Sequence, residues 1–159
     1  MVFYLNNSSL YGTLNEVLVK LFNEILHIEE QALKNGEFKN ITITEIHIIE
    51  AIGLNRERNM TSVSKDLDVT IGTLTIAINN LLRKGYVNRS RSLEDRRIVL
   101  ISLTEQGKRA FDYHEKFHKE MINATITNLN DEEMQVLISS LENINIYFKE
   151  KYNIGRKYK

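Results

Sequence analysis

Three groups of residues carry side chains able to do chemistry. The first lies between Ile71 and Lys84. At helical spacing Leu74, Ala77, Ile78 and Leu81 share one face, and Gly72, Thr73, Ile76, Asn79, Asn80 and Arg83 share the opposite one. An isoleucine among amides is out of place on a solvated face but suits the DNA major groove. There an apolar side chain meets a thymine methyl and asparagine holds adenine with two hydrogen bonds. Thr70 and Thr73, at the start of this helix, suit phosphate. The second group is Arg89, Arg91 and the run Leu93-Glu94-Asp95-Arg96-Arg97. Arg96 or Arg97 suits the minor groove, whose negative potential is deepest over narrow A·T stretches. Asp95 repels phosphate, so its expected task is to pair with an arginine and fix the tip. As a surface ion pair it would add only ~0–1 kcal/mol to the fold. Lys65, Lys84, Arg89 and Arg91 are expected at phosphates, with Thr61 beside them.

The third group is His114-Glu115-Lys116-Phe117-His118, an H-E-x-x-H pattern on a helix. In a zinc hydrolase the histidines would hold the metal and Glu115 would act as general base. That chemistry needs a third ligand and a substrate cleft, and the sequence offers neither beside the motif. Two other readings stand. His47, His114 and His118, joined by Glu29 or Glu30, would make a regulatory zinc site, or His47 with Glu29 and Glu30 would line a ligand pocket. Alternatively the histidines are core polar groups hydrogen-bonded to a neighbouring helix.

These residues need elements to position them. Leu14, Val17, Leu18, Leu21, Phe22, Ile25, Ile28 and Ala32 predict a long helix over 10–34, with start signals in Asn6-Asn7-Ser8-Ser9 and a stop at Asn35-Gly36. Thr42 and Glu45 form a capping box for a helix ending at Gly53, with Ile41 and Ile46 as its staple. A polar turn, Asn55–Asn59, follows. Two short helices come next, capped by Thr61 and Thr70 and separated only by Asp68-Val69, with Val63 and Leu67 inward and Gly85 as the stop. That is a helix-turn-helix over 61–84. Strands at Tyr86–Ser92 and Ile98–Leu103 make a basic hairpin, a wing over 86–103. Thr104 caps a long helix, and Asn130 with Glu133 caps the last, whose stripe is Met134, Leu137, Ile138, Leu141, Ile144 and Phe148. Residues after Lys151 read as a frayed basic tail.

The expected fold is therefore mostly α: one domain, with a winged helix-turn-helix lobe at 41–103. The helices at 10–34 and 104–150 are expected to form a dimerisation bundle, because their apolar faces need a partner. Composition agrees. An apolar fraction of 42% and a charged fraction of 26% exclude a wholly disordered chain. The absence of proline suits helices, and the absence of cysteine excludes disulfides and Cys-based zinc ribbons. With no apolar run of ~18–20 residues and no signal peptide, the expectation is a cytoplasmic protein without membrane contact. Charge is uneven: residues 54–110 hold eleven Lys/Arg against six Asp/Glu, whereas residues 1–53 hold three against seven. A basic middle is the footprint of an anionic partner, here double-stranded DNA.

Asp95-Arg96-Arg97 followed by Leu103-Thr104 and Gly107, after a helix-turn-helix, resembles the signature of MarR-family transcriptional regulators, and the helix order fits across residues 10–150. The resemblance implies a homodimer on a pseudo-palindromic operator, tuned by a ligand or chemical signal. Thr70–Thr75, Asn79-Asn80-Leu81, Arg83–Tyr86, Phe117–Met121 and Ile28-Glu29-Glu30 are similar to the FabT-like branch of that family. That likeness implies repression of fatty-acid-synthesis genes, with long-chain acyl groups on acyl carrier protein as corepressor and no required cofactor. Zinc-sensing members of the family use a similar distribution of histidines.

Overall fold

The computed structural model describes residues 7–152. In chain order these form α1 (Asn7–Asn35), α2 (Ile43–Ile52), β1 (Arg58–Asn59), α3 (Met60–Asp66), α4 (Ile71–Arg83), β2 (Val87–Arg91), β3 (Val99–Leu103), α5 (Glu105–Ile126) and α6 (Asp131–Tyr152). The chain divides into two compact units at Ile46 and His47, within α2. No helix of the described residues is long and apolar enough to cross a membrane.

In the first unit α1 starts ahead of the expected Leu10, so Asn7, Ser8 and Ser9 lie inside it rather than before it. Asn6 lies outside the described residues. The helix closes with Gly36 N–H donating to the Leu33 carbonyl at 3.2 Å. Leu10, Leu14, Val17, Leu21 and Phe22 are exposed along it, whereas Leu33, Phe38 and Ile41 are buried. The capping box at the start of α2 forms as expected: Thr42 N–H donates to Glu45 Oε2 at 2.9 Å, and Glu45 N–H to Thr42 Oγ1 at 3.2 Å.

In the second unit α2 ends in Gly53 at φ +75°. The Arg56 guanidinium folds over this glycine, its Nε donating to the Ile52 carbonyl at 2.7 Å. The polar turn expected over 55–59 is shorter than that. Arg58 and Asn59 form β1, which pairs with β3 (Arg58 opposite Ile101), so the wing is a three-stranded antiparallel sheet in the order β1-β3-β2. Two residues carry no periodicity, and only the distant partner strand reveals them as a strand. Arg58 reaches from β1 to the Ala51 carbonyl at 2.8 Å and to Asp66 at 2.6 Å, tying α2 to α3.

Thr61 does not cap α3. Asn59 does, its Oδ1 accepting from Ser62 N–H at 2.8 Å, and Thr61 falls in the first turn. Thr70 caps α4 as expected, accepting from Thr73 N–H at 3.1 Å. Asp68, at φ +50°, makes the tight turn between the two helices. At the far end Gly85 takes φ +80°, Gly85 N–H donates to the Leu82 carbonyl and Tyr86 N–H to the Leu81 carbonyl. This is the paired bonding of a Schellman motif, which needs a residue free to be left-handed. Val63, Leu74, Ile78, Leu81, Tyr86 and Ile101 are buried and join α3, α4 and the sheet in one core, with Leu67 only half-buried.

The strands run Val87–Arg91 and Val99–Leu103, a little inside the expected limits, with Val87 opposite Leu103 and Arg91 opposite Val99. Thr104 caps α5 and is bound at three points. Its Oγ1 accepts from Gly107 N–H at 3.1 Å and donates to the Gly85 carbonyl at 2.7 Å, and its N–H donates to the Tyr86 carbonyl at 3.0 Å. The start of α5 is thereby sewn to the end of α4. Asn130 and Glu133 form the second capping box, with bonds of 3.0 and 2.9 Å. On α6 no residue is buried, and Ile138, Leu141 and Phe148 of the expected stripe are exposed. The helix runs to Tyr152, and the tail beyond it lies outside the described residues.

Candidate nucleic-acid interface

The inward side of α4 is as expected, with Leu74, Ile78 and Leu81 buried and Ala77 half-buried. On the outward side Gly72, Thr73, Ile76, Asn79 and Arg83 are exposed, Ile76 at 67%. The remaining member of that face, Asn80, is half-buried and accepts a hydrogen bond from Arg83 Nη2 through its Oδ1. The Thr70 and Thr73 hydroxyls lie 2.9 Å apart and satisfy each other.

The hairpin tip is built by side chains bonding back to the backbone. Ser92 Oγ accepts from Glu94 and Asp95 N–H, and Ile98 N–H donates to the Asp95 carbonyl at 2.9 Å. Asp95 does pair with an arginine, and the partner is Arg97. Asp95 Oδ1 accepts Arg97 N–H at 2.9 Å and Arg97 Nε at 3.1 Å, while Oδ2 accepts Arg97 Nη2 at 3.1 Å. These bonds hold the Asp95 carboxyl below the usual carboxylate range, the side-chain bond from Arg97 first and its backbone bond second. Arg91 steadies the same turn by donating to the Arg96 carbonyl at 3.3 Å. Arg89, Arg91 and Arg96 are exposed, and Leu93 stands fully exposed at the apex, a position that charge reasoning passed over.

Between the tip and the helix-turn-helix lies an open groove of about 610 Å³. Lys65, Arg89 and Arg97 line it, together with Thr61, Thr75 and Ile98. The sequence-expected cations Lys65, Arg89 and Arg97 thus come to one surface. Lys84 is half-buried at the C-cap of α4.

The three histidines also gather. The His114 ring lies 5.6 Å from that of His47 and 4.4 Å from that of His118, centroid to centroid. His114 is buried and His118 half-buried. The carboxylate that joins them in this unit is Glu50, one helical turn beyond His47, with its Oε2 3.8 Å from His114 Nδ1. Sequence reasoning missed Glu50, although its spacing from His47 was available. On α1 Glu29 is buried, and Glu30 is engaged by Lys34 at 2.8 Å.

Comparison with known proteins assigns the family. Residues 33–114 match the family model described as transcriptional regulator SarA/Rot. The transcriptional repressor YetL of Bacillus subtilis is 32% identical over 134 residues, covering 79% of this chain and 77% of the relative. The chain belongs to the MarR/SarA family of winged-helix transcriptional regulators. The structure of Streptococcus pneumoniae FabT in complex with DNA is 41% identical, covers 88% of this chain and 98% of that one, and has a TM-score of 0.80. A mutant MarR from Escherichia coli, solved in complex with operator DNA, shares the fold at 22% identity and a TM-score of 0.64, covering 83% of this chain and 93% of that one. MarR/SarA relatives are regulators and not enzymes, so the H-E-x-x-H pattern of α5 marks no hydrolase.

Proposed function

We propose that this MarR/SarA regulator acts as a homodimeric repressor of fatty-acid-synthesis genes, with a long-chain acyl group on acyl carrier protein as its corepressor. The observation that carries the DNA reading is the groove that Ile71 and Thr75 of α4 share with Lys65, Arg89 and the clipped Arg97, with Ile76 and Asn79 exposed on the same helix. In this reading α4 enters the major groove of a pseudo-palindromic operator. The tip enters the minor groove, and Lys65, Arg89 and Arg91 meet phosphates. The apolar residues exposed on α1 and on α6 are the surfaces a second copy would cover. The FabT likeness at 41% identity supports the choice of target genes, and the corepressor is what the FabT-like motifs of the sequence imply.

A second reading has its own observation. Glu50, His114 and His118 offer ligand atoms that all lie within 4.8 Å of one another. Tetrahedral zinc with bonds of ~2.0–2.1 Å needs ligand atoms about 3.3 Å apart, so the 3.8 Å between His114 and Glu50 requires only a small adjustment. In this reading the regulator responds to zinc held by His114, His118 and Glu50, with His47 beside them.

One titration tests both. Affinity for a duplex from the chain's own promoter region should fall steeply with salt, and Arg89→Ala should reduce the slope of log K against log salt by about 1. A flat slope refutes the DNA interface. Tightening by acyl-acyl carrier protein, and not by zinc, supports the first effector. Tightening by zinc that is lost in His118→Ala selects the second.

A further inference from the structure

The two adjacent asparagines of α4 are not equivalent, although their sequence positions give both to the outward face. The guanidinium of Arg83 has donors only, so the Asn80 atom facing it is the carbonyl oxygen. Reading adenine bidentately needs that oxygen to accept from N6 and the amide nitrogen to donate to N7. With one lone pair of its oxygen given to Arg83, its amide plane set by that bond and its side chain half-buried, Asn80 is less free than Asn79 to turn toward a base. Asn79 is exposed and keeps both amide atoms for a base. One turn before it stands Ile76, at 67% exposure the most open apolar side chain of α4. Side chains three apart on a helix are neighbours, about 5–6 Å between Cβ atoms, close enough to meet adjoining base pairs.

Resting on the DNA reading above, we propose that Ile76 and Asn79 alone read sequence from the middle of α4, as a thymine methyl and an adenine on adjoining A·T pairs. Asn80 is a positioning residue that aims Arg83 at the DNA. The helix would then demand A·T at two neighbouring positions of each half-site and draw affinity, not base choice, from the Asn80–Arg83 pair.

Selection from a pool of randomised duplexes by the full chain, followed by affinity measurements on the enriched sequence, tests this. The wild-type chain should enrich adjoining A·T pairs in each half-site. Asn79→Ala should lose the adenine preference at one position per half-site, and Ile76→Ala the thymine preference beside it. Each substitution of that base should cost the wild type about ten- to hundredfold and the matching variant little. Asn80→Ala should keep both preferences while weakening every duplex alike. It should not add to Arg83→Ala, the double variant binding within about twofold of Arg83→Ala. A base preference erased by Asn80→Ala, or kept by Asn79→Ala, overturns the assignment while leaving DNA binding intact. Enrichment of no duplex at all refutes instead the interface on which it rests.

Discussion

Replacing Gly107 by alanine is expected to lower the unfolding free energy by about 3 kcal/mol, and Tm by about 6–12 °C for a chain of this size. The added Cβ would lie 2.0 Å from the Tyr86 carbonyl oxygen and 3.3 Å from the Leu103 side chain. The first of these is backbone and cannot swing aside. That same carbonyl accepts from Thr104 N–H, and Gly107 N–H donates to Thr104 Oγ1, so moving either partner breaks bonds that start α5. The clash therefore costs packing and capping together. Gly12→Ala is the control. It sits in the exposed part of α1 with no atom within 4 Å of an added Cβ, and it should stabilise by ~0.5–1 kcal/mol through lost unfolded-chain entropy. Thermal and denaturant unfolding of both variants decides the point. A wild-type Tm for Gly107→Ala would mean that α5 does not approach the end of α4 this closely. The argument also gives a physical reason for the spacing of Leu103-Thr104 and Gly107: a cap that bonds across to Gly85, then a residue small enough to lie on Tyr86.

What could be read from the sequence followed from how local the chemistry is. The Thr42–Glu45 and Asn130–Glu133 boxes, the Thr70 and Thr104 caps and the left-handed Gly85 all form within a few residues of themselves, and all stand where the sequence places them. The α3 cap went astray because Asn59 and Thr61 are both good caps, and the choice is settled by β1, which fixes Asn59 in extended backbone. β1 itself is legible only through Ile101, more than forty residues on. The face of α4 was legible as a face, but the division between Asn79 and Asn80 was not. Periodicity places a side chain on a side of the helix and says nothing of which lone pairs are already engaged. Glu50 was missed beside His114 for a related reason, since its neighbour lies on a different helix.

Asp95→Ala is expected to weaken operator binding by about ten- to hundredfold, although it removes a negative charge from a surface that meets phosphate. Electrostatics alone predicts the opposite sign: a carboxylate paired with Arg97 reduces the positive potential, and its loss should tighten binding. Geometry decides against that. Asp95 Oδ1 accepts both the backbone N–H and the Nε of Arg97, so one carboxylate sets the turn and aims the guanidinium together. Without it Arg97, at 91% side-chain exposure, has no partner to hold it over the groove. Arg97→Ala should cost a similar factor, and the double variant should cost no more than either alone, because both singles remove the same tip. The Asp95 carboxyl is held below its ordinary value of 3.8. A lowered carboxylate pKa leaves the clip fully formed above the ordinary value and dissolves it only as pH falls through the lowered one. The clip therefore contributes no pH dependence to DNA binding between about pH 5 and 8. Tighter binding by Asp95→Ala at low salt would show that the aspartate merely masks Arg97, and would refute the aiming role of the clip.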